Sequence, residues 1–202
     1  MKVMILCLVI LIDYSILNVQ AMEGAKLLDF LAKAPNSLFD YTTEGILSEE
    51  KNILLKNGES EVWKIIRSQD TLLSIECKYG NSIVHLIPLV SNFGSQVILS
   101  YTENERTSMI ETWQMEDEKV WKVQLLPSVK AKDFFTEEHR FANVSEYDSN
   151  VSLFMEVPSQ VISATLNTWM EDEFEDKNID YEIELKWDGT DFQKIKRKLS
   201  QK

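Results

Sequence analysis

The apolar positions of this chain follow three patterns in turn: an unbroken run, then a spacing of three and four, then alternation. The run is Val3 to Ile12, preceded by Lys2 and broken by Asp13. From Glu23 to Lys33, Leu27, Leu28 and Leu31 share one helical face with Phe30 at its flank. Pro35 follows as a stop, so a short amphipathic helix is expected. A second helix is expected from Ser48, an N-cap residue, with Glu49 and Glu50 in the first turn where the helix dipole favours acids. Ile53 and Leu54 are its apolar contacts, and Asn57-Gly58 offers a left-handed cap. Leu38, Phe39 and Tyr41 would pin the connection between the two helices to the core.

Alternation sets in after Glu61. Leu73, Ile75, Cys77 and Tyr79 alternate with Ser74, Glu76 and Lys78, which predicts a half-buried strand with Cys77 on its apolar face. Gly80-Asn81 turns the chain into Ile83 to Val90, an almost continuous apolar run expected to be a central strand covered on both faces. Pro88 cannot donate to a ladder, so that strand must end, bulge or meet an edge there. After a turn at Asn92 to Ser95, Val97, Leu99 and Tyr101 alternate again. Met109 to Met115 and Val120 to Leu125 flank Glu116 to Lys119 as a strand pair, with Trp121, Val123 and Leu125 on one face. Ser128 to Tyr147 is irregular and reads as a helical turn and long loop packed on the sheet. Leu153, Met155 and Val157 alternate up to Pro158. Ala164 to Asp176 fits strand or helix, and its second half reads as helix on Trp169, Met170 and Phe174. Tyr181 to Trp187, Asp188-Gly189 and Phe192 to Ile195 form a hairpin. The expected fold is α+β: one domain over residues 22–202, with two N-terminal helices packed on an antiparallel meander of roughly six to eight strands.

The opening run decides the compartment. It spans about ten apolar residues, short of the roughly 20 that cross a bilayer, and Val19-Gln20-Ala21 supplies the small residues read by a signal peptidase. Residues 1–21 are therefore expected to be a secretory signal peptide, and the mature protein to be soluble, secreted or periplasmic. Cys7 leaves with the signal, so Cys77 remains alone and no internal disulfide can form. Lys2 and Asp13 cancel, so the mature chain keeps the formal charge of −12. This acidic balance argues against nucleic acid, whose phosphates need a basic patch, and suits a basic protein partner. The basic cluster Lys194, Lys196, Arg197, Lys198 and Lys202 would either neutralise Glu171, Asp172, Glu173, Glu175 and Asp176 or lie in water.

Candidate chemistry is sparse. His85 falls inside the most hydrophobic strand, where a hydrogen-bonded structural imidazole is the simpler reading. His139 follows Glu137 and Glu138, but no third or fourth zinc ligand stands at a suitable spacing and Arg140 would repel a cation. The acidic run Glu171 to Asp176 lacks the alternating ligands and turning glycine of a calcium loop and reads as a solvated face. No nucleophile elbow, phosphate-binding loop or dinucleotide fingerprint occurs. Asn143-Val144-Ser145 and Asn150-Val151-Ser152 match the N-glycosylation pattern. Trp113, Trp121 and Trp187 sit in strand patterns as core residues, while Trp63 and Trp169 have no evident place. No catalytic, cofactor-binding or metal-ligating set is assigned.

Several segments together resemble a family. They are Leu27-Leu28-Asp29-Phe30-Leu31, the turn Pro35-Asn36-Ser37-Leu38, the helix Ser48 to Lys56, the strands Leu72 to Val90 and Val97 to Tyr101, and the closing Trp187-Asp188-Gly189-Thr190-Asp191-Phe192. This order resembles a domain family of unknown function found in short secreted proteins of Bacteroidetes. The chain departs from the family at Ala34 and Asn36 and lacks the central cysteines of many members. The resemblance implies a periplasmic or surface location and carries over no catalytic residue. The expected function is a non-enzymatic extracytoplasmic binding protein, in its sharpest version one that clamps a basic enzyme. The alternative is a hydrolase or small-ligand protein whose site is assembled from distant residues, with His85, His139, Glu138 and Tyr101 as its candidates.

Overall fold

Both expected helices form, with corrections to their caps and buried faces. In α1 (Ala25–Lys33) the buried residues are Leu27, Phe30 and Leu31, so Phe30 belongs to the stripe and Leu28 sits at its margin. In α2 (Ser48–Asn57) Ser48 is already helical and Leu47 holds the cap position, while the Ser48 hydroxyl accepts from the Asn36 side-chain amide at 2.9 Å. Leu54 is buried but Ile53 is exposed. The buried neighbour is Lys51, whose ammonium donates to Ala34 O (2.6 Å) and Ala32 O (3.3 Å), carbonyls that the end of α1 leaves unpaired. Burial lowers the Lys51 pKa. Gly58, at φ +77°, closes α2 with its N–H on Leu54 O. The computed structural model describes residues 25–92, 95–104, 108–140, 142–157, 159–167 and 179–199. The signal segment, Trp169 and the acidic run 171–176 lie outside the described residues.

The described strands form two sheets. The first is an antiparallel meander in chain order: β1 (Trp63–Gln69), β2 (Leu72–Cys77), β3 (Ile83–Leu89), β4 (Gln96–Glu103), β5 (Ser108–Glu116) and β6 (Lys119–Val123). The second comprises β7 (Val151–Met155), β8 (Val161–Leu166), β9 (Tyr181–Trp187) and β10 (Phe192–Lys198), in the order β10-β9-β8-β7. The α+β class stands, but the molecule is dominated by its sheets and is not two helices on one sheet. Alternation reveals that one face of a strand is buried and not what buries it. The telling signal was the run from Val97 to Thr102, buried on both faces.

Each face of the first sheet has its own cover. Leu73, Ile75, Cys77, Val84, Leu86, Ile98 and Trp113 pack with Leu27, Phe30, Leu31 and Leu54 of the helices. On the opposite face Ile87, Leu89, Val97, Leu99 and Ile110 meet Met155, Ile162, Leu185 and Phe192 of the second sheet. Complete burial of each such aliphatic side chain contributes about 1.5–3 kcal/mol. The irregular connection also matches expectation in kind, with 3₁₀ turns at Ala131–Phe134 and Val144–Asn150. Phe134, Phe135, Val144 and Tyr147 from this connection extend the core beneath Ala164, Leu166 and Ile183.

Three tryptophans act as pins. Trp63, in a strand that the pattern did not isolate, is fully buried edge-on to Phe39 and donates its Nε1–H to Gly45 O at 2.9 Å. Trp113 donates to the Ser100 hydroxyl at 2.9 Å, and Trp187 donates to Val90 O at 2.6 Å, bridging the two sheets. Trp121 is partly exposed rather than core. Tyr79 and Val90 lie just past their strands and are exposed. Pro88 stays within β3, opposite Ile98, but β2 pairs no further than Leu86, so β3 is locally an edge on that side.

Candidate functional site

Register brings a polar row onto the face of the first sheet that looks away from the helices. Ser74 pairs with His85 and His85 with Tyr101, so the three share one face of β2, β3 and β4. Glu103 joins them because it pairs with Ile83, two residues before His85. His85 Nδ1 lies 2.9 Å from Ser74 Oγ, and Nε2 lies 3.0 Å from Glu103 Oε1. The ring stacks on Tyr101 with centroids 6.0 Å apart. Burial lowers the His85 pKa, and the nearby Arg67 charge adds to this. Glu103 opposes it without prevailing. Burial also raises the Tyr101 pKa, helped by the Glu103 charge.

This Ser74–His85–Glu103 chain has the composition of a nucleophile, a base and an orienting acid. Its placement runs the other way. Ser74 is 3% exposed and His85 9%, whereas the Glu103 side chain is 43% exposed. The acid faces solvent and the hydroxyl lies inside, so a substrate would meet the carboxylate and not the nucleophile. With Glu103 ionised, Nε2–H donates to it and Nδ1 accepts from the Ser74 hydroxyl, which satisfies every buried polar atom of the trio.

His139 belongs to a different place. Its Nδ1 lies 2.7 Å from Asp180 Oδ1, and Glu138 beside it is exposed. Asp180 is buried and fixes the loop, since its Oδ2 accepts the Thr136 N–H at 2.6 Å and its own N–H donates to Phe134 O at 2.9 Å. Burial alone would raise the Asp180 carboxyl, but these hydrogen bonds hold it below the ordinary carboxylate range. His85 and Tyr101 therefore come together, while His139 and Glu138 do not join them. Among the described residues no group of three His, Cys, Asp or Glu side chains is placed to hold a metal ion.

Three residues of the basic cluster near the C-terminus, Lys194, Lys196 and Arg197, pair with carboxylates of the fold. Lys194 and Lys196 project from the inner face of β10, opposite Leu185 and Ile183, and clasp Asp133 at 2.7 and 3.2 Å. Lys194 also donates to Ser128 O at 3.0 Å. Burial opposes ionisation of Asp133, yet the two ammonium groups and the Lys130 N–H hold its pKa down at about 2. Arg197 pairs with Glu184 on the outer face at 2.9 Å.

A cleft of about 390 Å³ opens where β6 ends, between β5, the connection after β6, and β7. Ile110, Val123, Leu126, Val129, Val151 and Leu153 give it apolar walls. Its two charges, Glu111 and Lys122, pair with each other, and Glu111 is buried. No sequence signal named this cleft, because it exists only where one strand stops short of its neighbour.

A similar solved structure is that of a domain of an uncharacterised protein from Porphyromonas gingivalis W83, with a TM-score of 0.58 and 14% identity. The alignment covers 85% of this chain and 98% of that one. The two share a fold. That neighbour comes from a member of the Bacteroidetes, which agrees in coarse terms with the resemblance drawn from the sequence and says nothing of activity. No family model matches the chain, and no curated protein matches it.

Proposed function

We propose that this protein is a non-enzymatic, extracytoplasmic binding module of the secreted Bacteroidetes type, acting on a basic protein partner. The observation that carries the reading is the orientation of the Ser74–His85–Glu103 chain. Its hydroxyl is sealed in the core, so the most enzyme-like group among the described residues works as a structural bond. The charge distribution adds support: Lys194, Lys196 and Arg197 are engaged by internal carboxylates in a chain whose formal charge is −12. Steering by such a field speeds association with a basic protein at low ionic strength.

The test joins a capture experiment to an activity screen. Tagged protein incubated with the extracytoplasmic fraction of its source cells should retain a basic protein at low salt and release it as salt rises. Ester and amide substrates should not turn over. Turnover that Ser74→Ala abolishes would replace this reading with the hydrolase one, for which the same three residues would be the machinery.

A further inference from the structure

The β6 side of β5 has no paired strand before Thr112, and Ile110 lies in that unpaired stretch. Pairing between β5 and β6 runs from Glu116↔Lys119, around the turn Asp117-Glu118, to Thr112↔Val123. A turn of this length closes on a hydrogen-bonded pair, and such pairs recur at every second residue, so Thr112 and then Ile110 direct N–H and C=O to the β6 side. Continued one step, the register would set Leu125 opposite Ile110. Leu125 is diverted instead. Its N–H lies 3.3 Å from Thr112 Oγ1, and its C=O accepts from Phe192 N–H at 3.3 Å. Thr112 Oγ1 in turn donates to Val123 O at 2.6 Å, so a single hydroxyl ends β6 early. The far wall, β7, packs against β5 but forms its ladder with β8, and Leu153 O accepts from the Ser108 hydroxyl at 2.7 Å. Ile110 is buried and lines the cleft.

We propose that this cleft binds an extended peptide segment of a partner protein. The segment adds a short strand beside Ile110 and lays an aliphatic side chain against Leu126, Val129 and Leu153. This rests on the binding-module reading and gives it a site. The walls suit an aliphatic group, the paired Glu111 and Lys122 add no net charge, and the missing strand supplies the one polar demand that a peptide main chain meets in both directions. The volume falls within the roughly 300–1,000 Å³ typical of ligand sites.

The probe is a library of random peptides displayed on phage, selected on the whole protein and counter-selected on Ser128→Trp, which fills the cleft from an exposed position. Val151→Lys serves as a second blocked variant, and both are used only if their thermal midpoints match the parent. Selected peptides should alternate aliphatic residues and bind the parent at least about tenfold more tightly than either variant. Methylating the central peptide nitrogen should weaken binding about tenfold, and the Ile110 amide should exchange more slowly when peptide is bound. Selected peptides that bind all three proteins equally, or tolerate the methylation, would overturn the site, as would a selection that yields none. If parent and blocked variants capture the same basic protein, the module reading stands and this site falls. Turnover lost in Ser74→Ala would remove the reading itself.

Discussion

Cys77 lies on the helix-covered face of the first sheet, opposite Trp63 at the start of β1, and is buried. In the folded protein it should resist thiol reagents at neutral pH and react at the ordinary rate in denaturant. Cys77→Ser should lower stability by about 1–3 kcal/mol, since a hydroxyl would be buried among apolar groups, and a urea melt reads this directly. Rapid labelling of the native protein would mean that β2 is shifted by one residue. His85 on the other face has a linked prediction. Its folded-state pKa is depressed, so the unfolded chain binds the proton more readily. The stability this contributes is complete above the unfolded-state value near 6.5 and is lost as pH falls through the folded-state value. Urea midpoints should therefore decline from pH 7 toward pH 5 in the parent, and the decline should be smaller in His85→Gln. Parallel curves for the two proteins would show that His85 does not titrate between the folded and unfolded states.

Asp133 joins a 3₁₀ turn to β10, so its loss should loosen one element against another. With its pKa held at about 2, its contribution is present above the ordinary value of 3.8 and is lost as pH falls through 2. Asp133→Asn should cost about 1–2 kcal/mol at neutral pH, after allowance for solvent screening, and the difference from the parent should vanish in acid melts. A constant difference at all pH values would assign the loss to packing instead. Gly189 joins β9 to β10 at φ +102°, where a Cβ would collide with the Asn92 side chain; the backbone N–H of Asn92 donates to Gly189 O at 2.8 Å. Gly189→Ala should lower the thermal midpoint, and Asn92→Ala in the same background should relieve the collision but not the backbone strain. Elements with strong local punctuation were legible in the sequence: the two helices, the Asp188-Gly189 hairpin and the strands from Leu72 to Tyr101. What escaped depended on register. Centring the β2–β3 hairpin on Gly80-Asn81 would set Glu76 opposite His85, whereas the actual partner is Ser74. His85 and Tyr101 could be named as candidates, but their contacts with Ser74 and Glu103 follow from pairings that no local pattern encodes. The cleft at Ile110 is further from sight, because it depends on one threonine hydroxyl ending a strand.

At the scale of the whole molecule, the question is whether two sheets make one cooperative unit. The first sheet is a complete meander with helices on one face, and by its connectivity it could stand alone. Its other face could not remain exposed, since Ile87, Val97 and Leu99 are buried there in a cluster with Met155, Ile162, Leu185 and Phe192 of the second sheet. The second sheet depends on the same contact, and the Trp187 and Asn92 hydrogen bonds tie the sheets together at the turn ends. An unfolded second sheet would uncover an apolar patch larger than stable monomers present to water. Unfolding should therefore be a single transition. Variants that keep one tryptophan as a fluorescent probe, either Trp113 in the first sheet or Trp187 in the second, should report the same urea midpoint, coincident with far-ultraviolet circular dichroism. Leu99→Ala, at the shared interface, should lower every probe together by about 2–5 kcal/mol. Separate midpoints, with Trp187 released first, would show instead that the helix-covered meander is an independent folding unit and that the second sheet is docked onto it.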